Sequence, residues 1–158
     1  MKIRVLLAYS ISLLGFVASL LKTDIGWLMF IGTPFFVLLC AAIHEGGHCI
    51  GCLCKGNKIT EVSLPFMRMK EGKLTTTSKL TSYCVFKKSE SDVFIYVLGP
   101  IFSLLHAAVW FVLYMRFKSM SLFVYLIASA LVFIMNMLPI RNNDLQKIIE
   151  GLKRRNDS

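Results

Sequence analysis

Long apolar stretches alternate with short polar ones along this chain. Four stretches contain no Asp, Glu, Lys or Arg: Val5–Leu21 (17 residues), Ile25–Ile43 (19), Val93–Met115 (23) and Ser119–Ile140 (22). A membrane-spanning helix needs about 20 mostly apolar residues, so each is long enough, or nearly so, to cross a bilayer. The second continues past His44 and Glu45 to Cys54, which extends its helix to about 30 residues. The pattern predicts an all-α polytopic membrane protein with four transmembrane helices. It forms a single integral membrane domain over 1–158, with its core in 25–146. The polar, basic segment Lys55–Asp92 forms one sizeable loop between the second and third helices. Within it, alternation around Ile59–Phe66, Lys73–Leu80 and Ser82–Phe86 predicts short strands. Leu145–Lys153 predicts a short basic amphipathic helix at the membrane surface. A competing expectation for the first stretch is a signal peptide, because Lys2 and Arg4 precede an apolar run and Val17-Ala18-Ser19 is a weak cleavage signal.

Composition agrees with this pattern. Hydrophobic residues make up 56% of the chain and charged residues 17%, against roughly 25% charged in an ordinary soluble domain. Disordered chains and typical soluble domains are thereby excluded. The net charge of +9 would suggest nucleic acid on a soluble protein, but its placement says otherwise. With four spans, fifteen of the eighteen Lys and Arg fall on one side, in the N-terminus, the 55–92 loop and the C-terminal tail. The other three are Lys22, Arg116 and Lys118. The positive-inside rule then places both termini and the loop in the cytoplasm, and the charge needs no nucleic-acid partner. A basic loop also sits well beside anionic headgroups. No eukaryotic targeting pattern is evident, so a bacterial cytoplasmic membrane is expected.

Charges inside a bilayer are costly, and an intramembrane ionisable cluster is read as functional by default. The second span holds one, His44-Glu45-Gly46-Gly47-His48. Residues i and i+4 share a helix face, so both imidazoles can reach one ion. Glu45 lies beside them, where it can take a proton from a water activated by Zn²⁺. This is the HExxH pattern of zinc metalloproteases. Chance matches to so short a pattern occur in soluble helices, but within a span the energetic cost of Glu and His makes them rarer.

A catalytic zinc needs a third protein ligand and an open position. The candidates are His106 and the acids nearest the spans, Asp24, Asp92 and Asp144. His106 is expected to be a hydrogen-bonded core histidine of the third span. Asp24 precedes the second span at its external end, and Asp92 begins the third at the cytoplasmic surface. Asp144 follows Asn136-Met137-Leu138-Pro139. Pro139 breaks the fourth helix, and a broken helix can turn a carboxylate back towards the membrane interior.

At these residues the sequence resembles the site-2 protease family of intramembrane zinc metalloproteases. That family carries HExxH on one span and Asn-x-x-Pro-x-x-x-x-Asp on a later one. Here these are His44–His48 and Asn136–Asp144. The family's intervening Gly-Pro-x-x-Asn resembles Gly99-Pro100-Ile101-Phe102-Ser103. The resemblance implies Zn²⁺ on His44, His48 and Asp144, and Glu45 as catalytic base. It also implies substrate positioning by Asn136, Ser103, Gly99 and Pro100. Two positions depart from the pattern. Ser103 replaces Asn, so a hydroxyl or Asn136 alone must serve any oxyanion. Leu145 follows the Asp where Gly is usual. Charge-derived topology brings all three signatures to the cytoplasmic end of the spans, at one depth.

The expected activity is cleavage of a single-span membrane protein or hydrophobic peptide near the cytoplasmic face, after local unwinding of the substrate helix. The related family can present a sheet edge to such a peptide, and strand addition suits an unwound chain. Four spans leave no room for a sensing domain, so control is expected from a regulatory membrane partner, from a first trimming cut in the substrate or from the membrane. Three rival functions fit less well. A di-iron oxygenase needs more histidines than three. A zincin with Glu as third ligand would have to use Glu150, in the tail. A zinc-bound binding module without proteolytic activity is opposed by the intact Glu45. Cys49 and Cys52 form a CxxC, which reads more readily as packing than as a redox or metal pair. Gly46, Gly47 and Gly51 are expected to allow close helix approach.

Overall fold

The computed structural model describes residues 2–21, 26–77, 82–86, 93–138 and 144–156. Five helices dominate it: α1 (Lys2–Leu21), α2 (Gly26–Cys54), α3 (Val93–Phe117), α4 (Met120–Met137) and α5 (Asp144–Asn156). Four strands lie between α2 and α3: β1 (Ile59–Leu64), β2 (Met67–Lys70), β3 (Lys73–Thr76) and β4 (Tyr83–Phe86). Three helical stretches are long and apolar enough to cross a membrane, Met29–Cys54, Val93–Phe117 and Met120–Met137. The sequence pattern predicts four. The described apolar part of α1, Leu7–Leu21, is shorter. α1 as a whole has 20 residues, about 30 Å at 1.5 Å per residue, which matches the thickness of the hydrocarbon core. The outward faces are strongly apolar: Phe30 is 81% exposed and Leu14 70%. Such continuous apolar exposure suits lipid rather than water.

One aromatic ring from each of α1 to α4 builds the core. Phe36 of α2 stacks on Tyr125 of α4 at 4.6 Å between centroids, and Phe16 of α1 lies 5.1 Å from the same ring. Trp110 of α3 meets Phe36 edge-on at 5.4 Å. The Tyr125 hydroxyl is satisfied by Ser19 Oγ of α1 at 2.6 Å. A second polar tie repairs α2 next to Pro34. Ser12 Oγ of α1 accepts from the Phe35 N–H (2.8 Å) and donates to the Ile31 carbonyl (2.7 Å). These two backbone groups are four residues apart, so Ser12 bridges one step of the helical ladder where proline disturbs it. α1 is thus packed into the bundle.

The strands pair antiparallel in the order β3-β2-β1-β4. Three of them match the expected segments. The fourth, β2, is set by the turns on either side, Pro65-Phe66 and Glu71-Gly72. Glu71 and Gly72 both have positive φ (50° and 78°), the backbone of the tight turn whose twist suits a two-residue hairpin. Glu61 of β1 accepts from the Tyr83 hydroxyl at 2.8 Å and from the Arg68 guanidinium. Arg68 first, then Tyr83, hold its carboxyl below the usual range. The Tyr9 hydroxyl of α1 donates to the Pro65 carbonyl at 2.9 Å, tying the sheet to the bundle. β4 is an edge strand.

α4 ends at Met137, and Leu138 is extended (φ −74°, ψ 141°), as the residue before a proline prefers. The expected break at Pro139 itself lies outside the described residues, as do Asp24 and Asp92. The expected tail helix forms as α5, with Asp144 in its first turn.

Candidate metal centre

His44, Glu45 and His48 project from an uninterrupted stretch of α2, roughly 12 Å along its axis from the aromatic core at Phe36. Both histidines, Glu45 and Asp144 are buried. Asp144 reaches the pair from α5: its Oδ2 lies 2.8 Å from His44 Nε2 and 3.3 Å from His48 Nε2. The two Nε2 atoms are 3.2 Å apart. Donors about 2.0–2.1 Å from a tetrahedral metal are separated by roughly 3.4 Å, close to the edges of this triangle.

The outer nitrogens explain why these three atoms converge. His48 Nδ1–H donates to the Ile95 carbonyl of α3 at 2.8 Å. His44 Nδ1 lies 2.9 Å from Ser103 Oγ and 3.3 Å from Asn136 Nδ2. The Nε2 atoms of both imidazoles thus face each other and the Asp144 carboxylate. Either protons on the imidazoles or a shared metal ion satisfies three donor atoms placed this closely. Burial pushes the Asp144 carboxyl up, but the hydrogen bonds linking it to His44 and His48 outweigh this and hold it well below the ordinary carboxylate range. A metal ligand must be ionised in this way. His44, His48 and Asp144 can therefore hold a metal ion, and their outer-atom partners fix the imidazoles as second partners of metal-bound histidines do.

α3 supplies the wall behind the histidines. A Cβ on Gly99 would collide with the His48 ring, and one on Gly47 would meet the Leu98 carbonyl. Glycine at both positions lets α2 and α3 approach closely. Gly51 faces Leu98 and Ile95 in the same seam, whereas a Cβ on Gly46 would meet open space. Pro100 is buried in α3 directly after Gly99. Asn136, at the last turn of α4, faces both His44 and the cavity.

The ligand triangle opens on a cavity of about 160 Å³ lined by Glu45, Ser82, Tyr83, Phe86, Tyr96 and Lys147 among others. A water occupies about 30 Å³ of liquid, so the space takes several waters or a peptide group. Ser82 lines the cavity beside Glu45, while Glu45 Oε2 is buried with no hydrogen-bond partner among the described residues. A buried acceptor left open beside a cation site is placed to receive a proton from a molecule in the cavity.

His106 stands apart from this group. Trp110 Nε1–H donates to its Nε2 at 2.8 Å, and its ring stacks on Phe36 at 5.8 Å. It is a core histidine, as expected. Several cavity residues carry no motif. Tyr83, Cys84 and Phe86 come from β4, a segment the sequence marks as a strand. Tyr96 and Lys147 have no sequence signal, and Lys147 Nζ lies over the Tyr96 ring at 4.9 Å.

No family model, curated protein or solved structure matches this chain. The resemblance to site-2 proteases stands on the short signatures at 44–48, 99–103 and 136–144.

Proposed function

We propose that this protein is an intramembrane zinc endopeptidase of the site-2 type, cleaving a single-span membrane protein or hydrophobic peptide near the cytoplasmic face. The observation that carries the reading is a buried triangle of His44 and His48 on the membrane-length helix α2 with Asp144 of α5, and Glu45 opening onto the same cavity. In this reading α1 is a fourth span, supported by its packing in the core. Both termini and the sheet lie on the cytoplasmic side, supported by the placement of the basic residues.

A bound Zn²⁺ supplies a Lewis acid and a water of lowered pKa. Glu45 accepts the proton at Oε2 and returns it to the leaving amine. Ser103 and Ile95 keep both imidazoles turned towards the metal position. Asn136 lines the cavity where a developing oxyanion can be met. The open edge of β4 offers main-chain hydrogen bonds to an unwound peptide, and α2 and α3 exclude bulk water from the other side. A non-proteolytic zinc-binding module would keep the metal but not the cleavage.

The test is the purified protein, assayed on a hydrophobic peptide and analysed for metal. Wild type is expected to hold one zinc and to cleave. Glu45→Gln is expected to keep the zinc and to lose at least about 10²-fold in rate. Cleavage by Glu45→Gln at the wild-type rate overturns the reading, as does a different metal at full occupancy.

A further inference from the structure

Five cysteines are reduced in the structure, and two of them meet across elements. Cys49, the residue after His48 on α2, has its Sγ 3.4 Å from Sγ of Cys84, in the middle of β4. They are 35 positions apart in sequence, so the contact is made by the fold and not by a local motif. The neighbour suggested by CxxC spacing is otherwise engaged: Cys52 is fully buried and its thiol donates to the Asn57 carbonyl at 3.5 Å. Cys49 and Cys84 are both only half-buried, and Cys84 lines the cavity beside Glu45. A disulfide S–S bond is about 2.05 Å long, so closing the gap takes a little over ~1 Å of movement at an edge strand.

We propose that Cys49 and Cys84 are a reversible disulfide site that fastens β4 to α2 and so restricts peptide entry to the cavity. The second half, restriction of entry, rests on the peptidase reading; the first does not. The chemistry is thiol–disulfide exchange with a low-molecular-weight disulfide. One cysteine sulfur attacks the oxidant's disulfide and releases one thiol. The other then attacks the mixed disulfide and releases the second. Two protein thiols become one disulfide, and the oxidant's disulfide becomes two thiols. A reducing compartment keeps the pair open, which is where cytoplasmic disulfides serve as transient sensors. Fastening matters at this place because β4 is bonded to β1 on one side only. A bridge would hold the strand that must yield when a peptide is added at the site.

The test uses the full chain in lipid nanodiscs, titrated with oxidised glutathione and then reduced with dithiothreitol. Peptide mass spectrometry is expected to find a Cys49–Cys84 cross-link that disappears on reduction and is absent from Cys49→Ser. Amide exchange in β4 should slow by about tenfold in the oxidised protein and not in Cys49→Ser. Cleavage of a hydrophobic peptide should fall on oxidation, recover on reduction and stay at its reduced level in Cys49→Ser. Failure to cross-link, or a dominant Cys49–Cys52 bridge, overturns the site. A cross-link that leaves β4 exchange unchanged overturns the fastening. Should the reduced wild type cleave nothing, the peptidase reading falls, and the disulfide site is still decided by mass spectrometry and exchange.

Discussion

Ser103 shows how a residue's part can differ from its place in a pattern. The resemblance assigns it to substrate positioning, as a stand-in for asparagine. In the structure its hydroxyl is buried against His44 Nδ1 at 2.9 Å, where it orients a ligand. Second partners of metal-bound histidines are worth about 10- to 100-fold in affinity. Ser103→Ala is therefore expected to weaken zinc by that order, measured by competition with a chromogenic chelator. Ser103→Thr keeps the hydroxyl and should recover part of the loss. Unchanged affinity in Ser103→Ala would remove Ser103 from the metal centre. The same reasoning applies to Gly99, whose added methyl would strike the His48 ring. Gly99→Ala is expected to cost about 1–3 kcal/mol of stability and to lower zinc content, read by thermal unfolding alongside metal analysis. Of the three residues that could hold a metal, the His44–His48 pair was legible from helix geometry, whereas Asp144 was one of several candidate acids until the resemblance singled it out. The residues holding them in place were not legible in that role. Ile95 acts through its carbonyl, which any residue carries, and Ser103 was marked for substrate positioning and not as a partner of His44.

At the level of elements, the helices were legible from apolar length and the sheet only in part. β1 and β4 are marked by alternating, β-prone residues. β2, Met67-Arg68-Met69-Lys70, is too short to declare itself by alternation, and it pairs because the turns on both sides return the chain. Likewise, nothing in the apolar run of α1 marks Ser12 as the group that bridges α2 beside Pro34. Its removal leaves the Phe35 N–H and the Ile31 carbonyl without that link within a bundle. Ser12→Ala is expected to cost about 1–3 kcal/mol, measured by denaturant unfolding in detergent, whereas Leu14→Ala on the exposed face of α1 should cost much less. Equal effects would mean that the bridge contributes nothing special. β4 invites an element-level test of strand addition. Cys84→Pro removes an N–H that strand alternation turns away from β1, since Val85 faces β1, and, relative to Cys84→Ala, should reduce cleavage of a peptide through KM while leaving zinc content unchanged. A loss confined to kcat would place the peptide elsewhere.

For the whole molecule, the decisive question is which way the bundle sits in the membrane. Three helices cross by length alone, and they put the sheet and the C-terminal tail on the same side whatever α1 does, because α3 and α4 together return the chain. The N-terminus is the discriminating end. If α1 spans, Lys2 and Arg4 join the thirteen basic residues of the loop and tail; if it does not, they lie opposite them. The positive-inside rule favours the first arrangement. So does packing, because Phe16, Ser12 and Ser19 engage α2 and α4 within the bundle and give α1 a reason to lie alongside them. Reporters active on only one side of the membrane, fused in turn at the N-terminus, after residue 72 and at the C-terminus, should all report the cytoplasm. A reporter inserted at Lys118, between α3 and α4, should report the opposite side. An N-terminal reporter facing outward, with the other three as expected, would leave three spans and remove α1 from the membrane-crossing set. The metal centre would survive that result, since none of its ligands comes from α1. A sheet reporter facing outward would instead place the Glu45 cavity on the wrong side for cytoplasmic cleavage, and with it the reduced compartment in which Cys49 and Cys84 are expected to stay open.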